Sequence, residues 1–173
     1  MGKGLKRSLA HANMQSAPIV KQVIPVRAKT VTVAGATGVG FGTVVLGGLP
    51  EANILFLGAV SYLQFTTADA DVTATFDGDM GVGTVPTADA DLGDAGDDNF
   101  IPSTALGAAT AKVSPVVRGV STDSESGIII DNTAGTLEVN LNLLIDDAAI
   151  SADDVDFTVE GAVTLSYVVL GDD

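Results

Sequence analysis

Residues 155–171, VDFTVEGAVTLSYVVLG, decide the fold: Val155, Phe157, Val159, Val163, Leu165, Tyr167 and Val169 share one parity, with Gly161 between them. Alternate residues of an extended chain point to opposite faces, so this spacing predicts one long strand, or two joined at a glycine bend, with a continuous apolar face.

Working outward, Leu137, Val139, Leu141 and Leu143 alternate with Glu138, Asn140 and Asn142. The preceding GIIID run (127–131) reaches them through Asn132-Thr133-Ala134-Gly135, which predicts a β-hairpin with a four-residue turn. A second hairpin is expected where Val72, Ala74 and Phe76 lead through Asp77-Gly78 into Met80 and Val82. Thr30-Val31-Thr32-Val33 alternates, Val44–Leu46 is a short apolar run, and Ile54–Phe65 reads as a long strand entered by the turn Leu49-Pro50-Glu51. About eight strands result. Asp146–Asp154 is the one tempting helical stretch, and it is read as a loop with at most one helical turn. The fold class expected is therefore all-β.

Composition agrees. The apolar residues are mainly Val, Ala, Leu and Ile, with abundant Gly and Thr, a mix suited to pleated strands and tight turns. At 173 residues, one domain is expected. Cysteine is absent, which excludes disulfides, thiolate chemistry and zinc–thiolate sites.

Charge is divided sharply along the chain. Lys3, Lys6, Arg7, Lys21, Arg27 and Lys29 lie in the first 29 residues, which hold no acidic residue, while all 22 acidic residues lie beyond, opposed only by Lys112 and Arg118. This predicts a basic N-terminal arm over 1–29 and a sandwich domain over 30–173. An acidic body repels nucleic acid and anionic membrane, and neither is expected as a partner. The six cations are too sparse, and too poor in interleaved aromatics, for a nucleic-acid tail. Mixed with Ile19, Val20, Val23, Ile24 and Val26, they suit an arm that lies across a neighbouring protein. The opening MGKGLKRSLAHANMQSAP lacks the apolar run of a secretory signal and reads as a mature, flexible terminus. The uncharged stretch between Lys29 and Glu51 is too rich in glycine for a membrane helix and reads as buried strands.

Chemistry-bearing motifs are weak. VAGATGVG (33–40) imitates a dinucleotide loop, but the third glycine of that spacing falls on Phe41 and no amphipathic helix follows, so it reads as a glycine-rich turn or closely packed strand. The pairs Asp69/Asp71, Asp77/Asp79, Asp89/Asp91 and Asp97/Asp98 suggest calcium, yet none fits the twelve-residue calcium loop. They read as solvated loop carboxylates, so no metal ligand and no cofactor is assigned. The echo TADAD at 67–71 and 87–91 reads as two similar connections at one end of a sandwich, and LGDAGDDNF (92–100) as an exposed loop. The single histidine, His11, lies in the arm without a scaffold to orient it. With no Trp, and with Tyr62 and Tyr167 as the only tyrosines, a sugar-stacking cleft has little to build from. No catalytic residue is assigned, and no enzyme is expected.

Two segments carry a resemblance. FDGDMGVGTVPTADADL (76–92), followed by NFIPSTALGAATAKV (99–113), together with the closing VEGAVTLSYVVLGDD (159–173), is similar to small virion structural proteins of tailed bacteriophages, the decoration or cement proteins. The likeness is good over the C-terminal half and one of general style over the N-terminal half. It implies a β-sandwich of jelly-roll type, often trimeric, on the outer capsid surface, where it binds the major capsid protein and bridges capsomers. The residues then expected to contact the capsid are the arm cations Lys3, Lys6, Arg7, Lys21, Arg27 and Lys29. The competing reading is a head-fibre or tail-associated adhesin binding a host surface. A calcium-stabilised bacterial surface module is a further rival.

Overall fold

The computed structural model describes residues 18–35, 39–94, 96–146, 150 and 153–171. These form nine strands: β1 (Ile19–Val33), β2 (Gly40–Gly48), β3 (Asn53–Thr66), β4 (Gly78–Gly83), β5 (Ile101–Ala105), β6 (Val117–Val120), β7 (Ile128–Asp131), β8 (Glu138–Ile145) and β9 (Val155–Gly171). No helix occurs among the described residues.

One sheet has the order β1-β9-β3-β6, with β7 also paired to β3, and the other has the order β2-β8-β4-β5. The antiparallel pairs are nested: β4 with β5, β3 with β6 and β7, β2 with β8, and β1 with β9. A long hairpin ribbon has thus been rolled up, so that β9 also pairs with β3 and β8 with β4. That is a jelly roll, as expected. β6 and β7 occupy successive stretches of the β3 edge, Leu63–Val60 and Phe56–Asn53, which accounts for the ninth strand.

Period-two burial produces this arrangement. In β9, Val155, Phe157, Val159, Val163, Leu165 and Tyr167 are buried, and the expected face is continuous up to Val169, which is exposed at the strand end. They meet Val31, Val33, Ile54, Phe56, Leu63 and Phe65 from their own sheet and Met80, Val82, Val139, Leu141 and Leu143 from the other. Phe56 and Phe100 stack tilted at 4.8 Å, and Phe76 meets Phe157 edge-on at 5.1 Å. Gly161 does not end the strand. Its φ is 137°, and a Cβ there would lie 1.9 Å from the carbonyl oxygen of Tyr62, so glycine permits the close approach of β3. Opposite it, β1 shifts register between Val26 and Lys29.

Several expectations need correction. The boundary at 29/30 falls inside β1, because Ile19–Val26 pairs residue by residue with Val168–Gly161. The alternating Val20, Gln22, Ile24 and Val26 face turns inward, where Ile24 lies beside Gly47 of β2 in the other sheet, and pairing with β9 offers the backbone groups more than an unattached arm does. The Asp77-Gly78 hairpin is absent: residues before Gly78 form no strand, and the carbonyls of Phe76 and Ala74 accept instead from the amides of Ala109 and Lys112. Gly78 serves a different need, since a Cβ there would lie 2.1 Å from the Leu144 carbonyl oxygen of β8. The Asn132–Gly135 turn exists, with Gly135 at φ 64° and its amide bonded to Asn132 O, but β7 and β8 belong to different sheets. The turn therefore arches across the sandwich. Asn132 anchors it, donating to the carbonyls of Leu49 and Pro50 and accepting from Leu137 N. The TADAD segments precede and follow β4, so they leave its opposite ends. They do share an Asx turn, Asp71 N to Asp69 Oδ1 and Asp91 N to Asp89 Oδ1, each at 3.0 Å. Most of Asp146–Asp154 lies outside the described residues.

Candidate assembly surface

The parity that buries one face of the β1-β9-β3-β6 sheet turns the other outward, and strand register aligns its residues in rows. Val23, Thr164, Val60 and Val120 form one row, and Ile19, Val168, Leu55 and Ile129 form another. A third runs through Pro25, Ala162, Tyr62 and Arg118. Ile19, Val23 and Ile129 are each more than 60% exposed, and Tyr62 is half exposed. Exposed single apolar residues are ordinary, whereas aligned rows across a sheet form a patch.

Between the first two rows the β3 register shifts from Phe56 to Gly58. Gly58 has no side chain to fill the outer face, leaving a shallow depression of about 280 Å³ lined by Gly58, Val60, Val120, Ser121, Thr164 and Ser166. Ser121 fixes its floor: its hydroxyl accepts from Ala59 N at 2.6 Å and donates to Phe100 O at 2.5 Å. The depression is too open to enclose a small molecule, and it carries no convergent titratable groups.

The opposite sheet is covered at its centre. Residues 84–94 and 96–100, linking β4 to β5, fold back over the two inner strands, β4 and β8, and are held there by Asn142 of β8, which is fully buried, while Val45 on β2 and Ser103 on β5 stay exposed. The Asn142 amide nitrogen donates to Val85 O at 2.9 Å and Asp97 O at 2.6 Å, while its Oδ1 accepts from Thr87 N at 2.9 Å and Thr43 Oγ1 at 2.5 Å. Gly83 admits the loop backbone, since a Cβ there would lie 2.1 Å from Gly96 O. The two faces therefore differ in kind, one apolar and bare, the other clamped at its centre under an acidic loop.

The arm cations separate. Lys21 is exposed on β1 beside the bare face, Arg27 is exposed at the β1 register shift next to Ala28 (φ 46°), and Lys29 donates through Nζ to Val45 O at 2.9 Å. Lys3, Lys6 and Arg7, like His11, lie outside the described residues. Arg118 adds a cation to the same face, with Nε donating to Tyr62 Oη at 3.2 Å. Sequence reasoning did not single out Arg118, Tyr62 or Asn142 for these places. For Asn142 the available signal was an amide in an apolar strand otherwise buried on both faces.

Among the described residues no three carboxylates or imidazoles converge as a metal site. Asp71, Asp77, Asp89 and Asp91 are exposed, as solvated loop carboxylates should be. Asp97 departs from that expectation: it is buried, and neither carboxylate oxygen has a hydrogen-bond partner. Burial, followed by the negative charges of Asp98, Asp94 and Asp91, pushes its pKa up to about 6. Burial likewise raises Asp79 and Asp98. The glycine-rich 33–40 segment leads from β1 into β2 and not into a helix; a Cβ at Gly42 would lie 2.2 Å from Thr32 O, a close strand contact.

No protein-family model and no curated protein matches the sequence. Among solved structures, the chain is similar to the infectious bursal disease virus VP2 subviral particle, at 10% identity and a TM-score of 0.42, over 88% of this chain and 33% of that one. It is also similar to the structure of the Gx strain of that virus, at 12% identity and a TM-score of 0.42, over 90% and 34%. The chain thus spans about a third of the length of these proteins. The jelly-roll assignment rests on the strand order and nested pairing.

Proposed function

We propose that the chain is a virion structural protein, a decoration or cement protein that binds the outer surface of a tailed-phage head and stabilises the shell by bridging capsomers. The observation that carries this reading is the bare, aligned apolar face of the β1-β9-β3-β6 sheet on a jelly roll whose other face is covered over its inner strands β4 and β8. Jelly rolls recur in viral capsid domains, and the sequence resemblance over residues 76–113 and 159–173 points to the same class. Fold alone does not assign function, so the surface has to do so.

Contact with the major capsid protein would bury Ile19, Val23, Tyr62 and Ile129, each contributing about 1 kcal/mol from the area now exposed. Lys21 and Arg118 flank them and select an acidic rim on the partner. A ligand that binds only the assembled shell stabilises it by mass action, and many symmetric copies multiply the effect. Trimerisation and a role for Lys3, Lys6 and Arg7 as a capsid-contact arm belong to the same proposal.

The test is addition of purified protein to undecorated heads, followed by sedimentation. V23K/I129K, which alters only exposed positions, is expected to fold normally and lose most binding. Removal of residues 1–18 is expected to weaken binding while leaving β1 intact. Full binding by V23K/I129K would remove the sheet face from the proposal, and failure of the wild-type chain to bind heads would remove the decoration role.

A further inference from the structure

Each edge of a sheet exposes main-chain N–H and C=O groups able to pair with a further strand, and proteins block such edges with proline, charge or irregular backbone. The edges here are β1, β2, β5 and the successive strands β6 and β7. Most are blocked. β1 carries Lys21, Pro25 and the register shift between Val26 and Lys29. On β2, the carbonyls of Val45 and Gly48 accept from Lys29 Nζ at 2.9 Å and Gln22 Nε2 at 3.1 Å. β5 carries Pro102, and its Ser103 amide is taken by Asp98 Oδ2 at 3.1 Å. β6 carries Arg118 and packs beside β5.

β7 has none of these devices. Its sequence, Ile128-Ile129-Ile130-Asp131, holds no proline and no basic residue, and among the described residues it pairs with β3 alone. Ala52 and Asn132 exchange N–H···O bonds in both directions, so in that register Ile130 and Ile128 are the β7 residues bonded to β3. The main-chain groups of Ile129 and Asp131 therefore point away from the sheet. The Ile129 side chain is 67% exposed on the bare face. Three consecutive β-branched residues hold this edge extended.

We propose that β7 pairs antiparallel with β7 of a second copy, about a two-fold axis at Ile129, and so joins two sheets edge to edge. In strand addition of this kind the affinity comes from main-chain hydrogen bonds, and the side chains set the register. A two-fold contact uses the same patch on both copies and closes on itself. With Ile129 opposite Ile129 an apolar pair meets, and Asp131 falls opposite Gly127, which has open space around it. A shift that sets Ile129 opposite Asp131 places a carboxylate against each isoleucine instead. The favoured register also carries the row Ile19, Val168, Leu55 and Ile129 into the same row of the second copy, doubling the bare apolar face. The contact rests on the unpaired edge and not on capsid binding, and a three-fold contact elsewhere on the body is compatible with it.

The experiment is sedimentation equilibrium of the full chain at about 0.15 M NaCl, where repulsion between two acidic bodies is screened beyond about 8 Å. The concentration series extends to about 1 mM, because a short strand pair lies at the weak end of specific association. The wild type is expected to reach an even multiple of 17.4 kDa. I129P removes an outward N–H that β3 does not use, and I129K sets two like charges opposite each other. Each is expected to halve the mass. V23K, on the same face but at the opposite edge of the sheet, is expected to leave it unchanged, which separates this contact from the capsid-binding face. In the wild type, the Ile129 and Asp131 amides should exchange slowly with solvent at high concentration and fast on dilution. A monomer throughout the series, a mass that I129K leaves unchanged, or fast exchange at both amides at every concentration overturns the pairing. If I129P does not fold, I129K decides alone.

Discussion

Asn142→Ala should detach the acidic loop from the sheet it covers. The side chain is fully buried on β8 and makes four hydrogen bonds, to Val85 O, Asp97 O, Thr87 N and Thr43 Oγ1. Alanine leaves the Thr87 amide and two main-chain carbonyls without partners in a closed interface. At about 1 kcal/mol for each group stranded, the loss is about 3 kcal/mol. For a chain of this size, that lowers the melting temperature by roughly 6–12 °C. Calorimetry measures the shift, and hydrogen exchange at the Thr87 amide locates it. Asn142→Asp at pH 7.5 should cost more, because it removes the two amide donors and brings a carboxylate to the carbonyl of Asp97. A melting temperature within about 2 °C of wild type for N142A, with Thr87 still protected, would refute the clamp.

Gly161→Ala should destabilise by at least about 2 kcal/mol in urea unfolding, since its Cβ would strike the Tyr62 carbonyl and its φ is 137°, whereas Gly48→Ala, with open space around it, should stay within about 0.5 kcal/mol. Asp97 should make stability depend on pH. Its folded-state pKa is raised from 3.8 to about 6, so the folded chain holds the proton more tightly, and the contribution is complete below 3.8 and lost as pH rises through about 6. The fall is at most about 3 kcal/mol, measured by urea unfolding between pH 4 and 7.5 and absent in D97N; equal slopes in the two proteins would refute it. Asp131, whose pKa is lowered by hydrogen bonds from Thr133, and Glu125, where burial raises the pKa but hydrogen bonds from Ser124 and Thr122 together outweigh it, act oppositely and lose their contribution at lower pH.

The apolar parity of residues 155–169 and 54–65 was legible because period-two burial depends only on which side of an extended chain each residue faces. β9 and β3 accordingly lie where the pattern puts them, and the bare outer face is the complement of the same pattern. Turn signals were less informative. Gly78 and Gly161 are required by the approach of a neighbouring backbone, of Leu144 and Tyr62, and a one-dimensional reading cannot distinguish that need from a turn. The clustering of basic residues before position 30 suggested an arm, but charge is compatible with an edge strand, and the alternation Ile24, Val26, Val31, Val33 places β1 in the sandwich.

By itself, the sequence determined the all-β class, the buried faces of the long strands and the absence of thiolate chemistry, because these follow from residue type and spacing alone. Tertiary structure decided which strands are neighbours, that the 132–135 turn crosses between sheets, and that Asp97, alone among the paired acidic residues, is sealed without a partner. Pairing and sealing depend on groups distant along the chain, Asn142 meeting residues 85–97 and Val155–Gly171 meeting both Ile19–Val33 and Asn53–Thr66, and only the rolled ribbon brings them together.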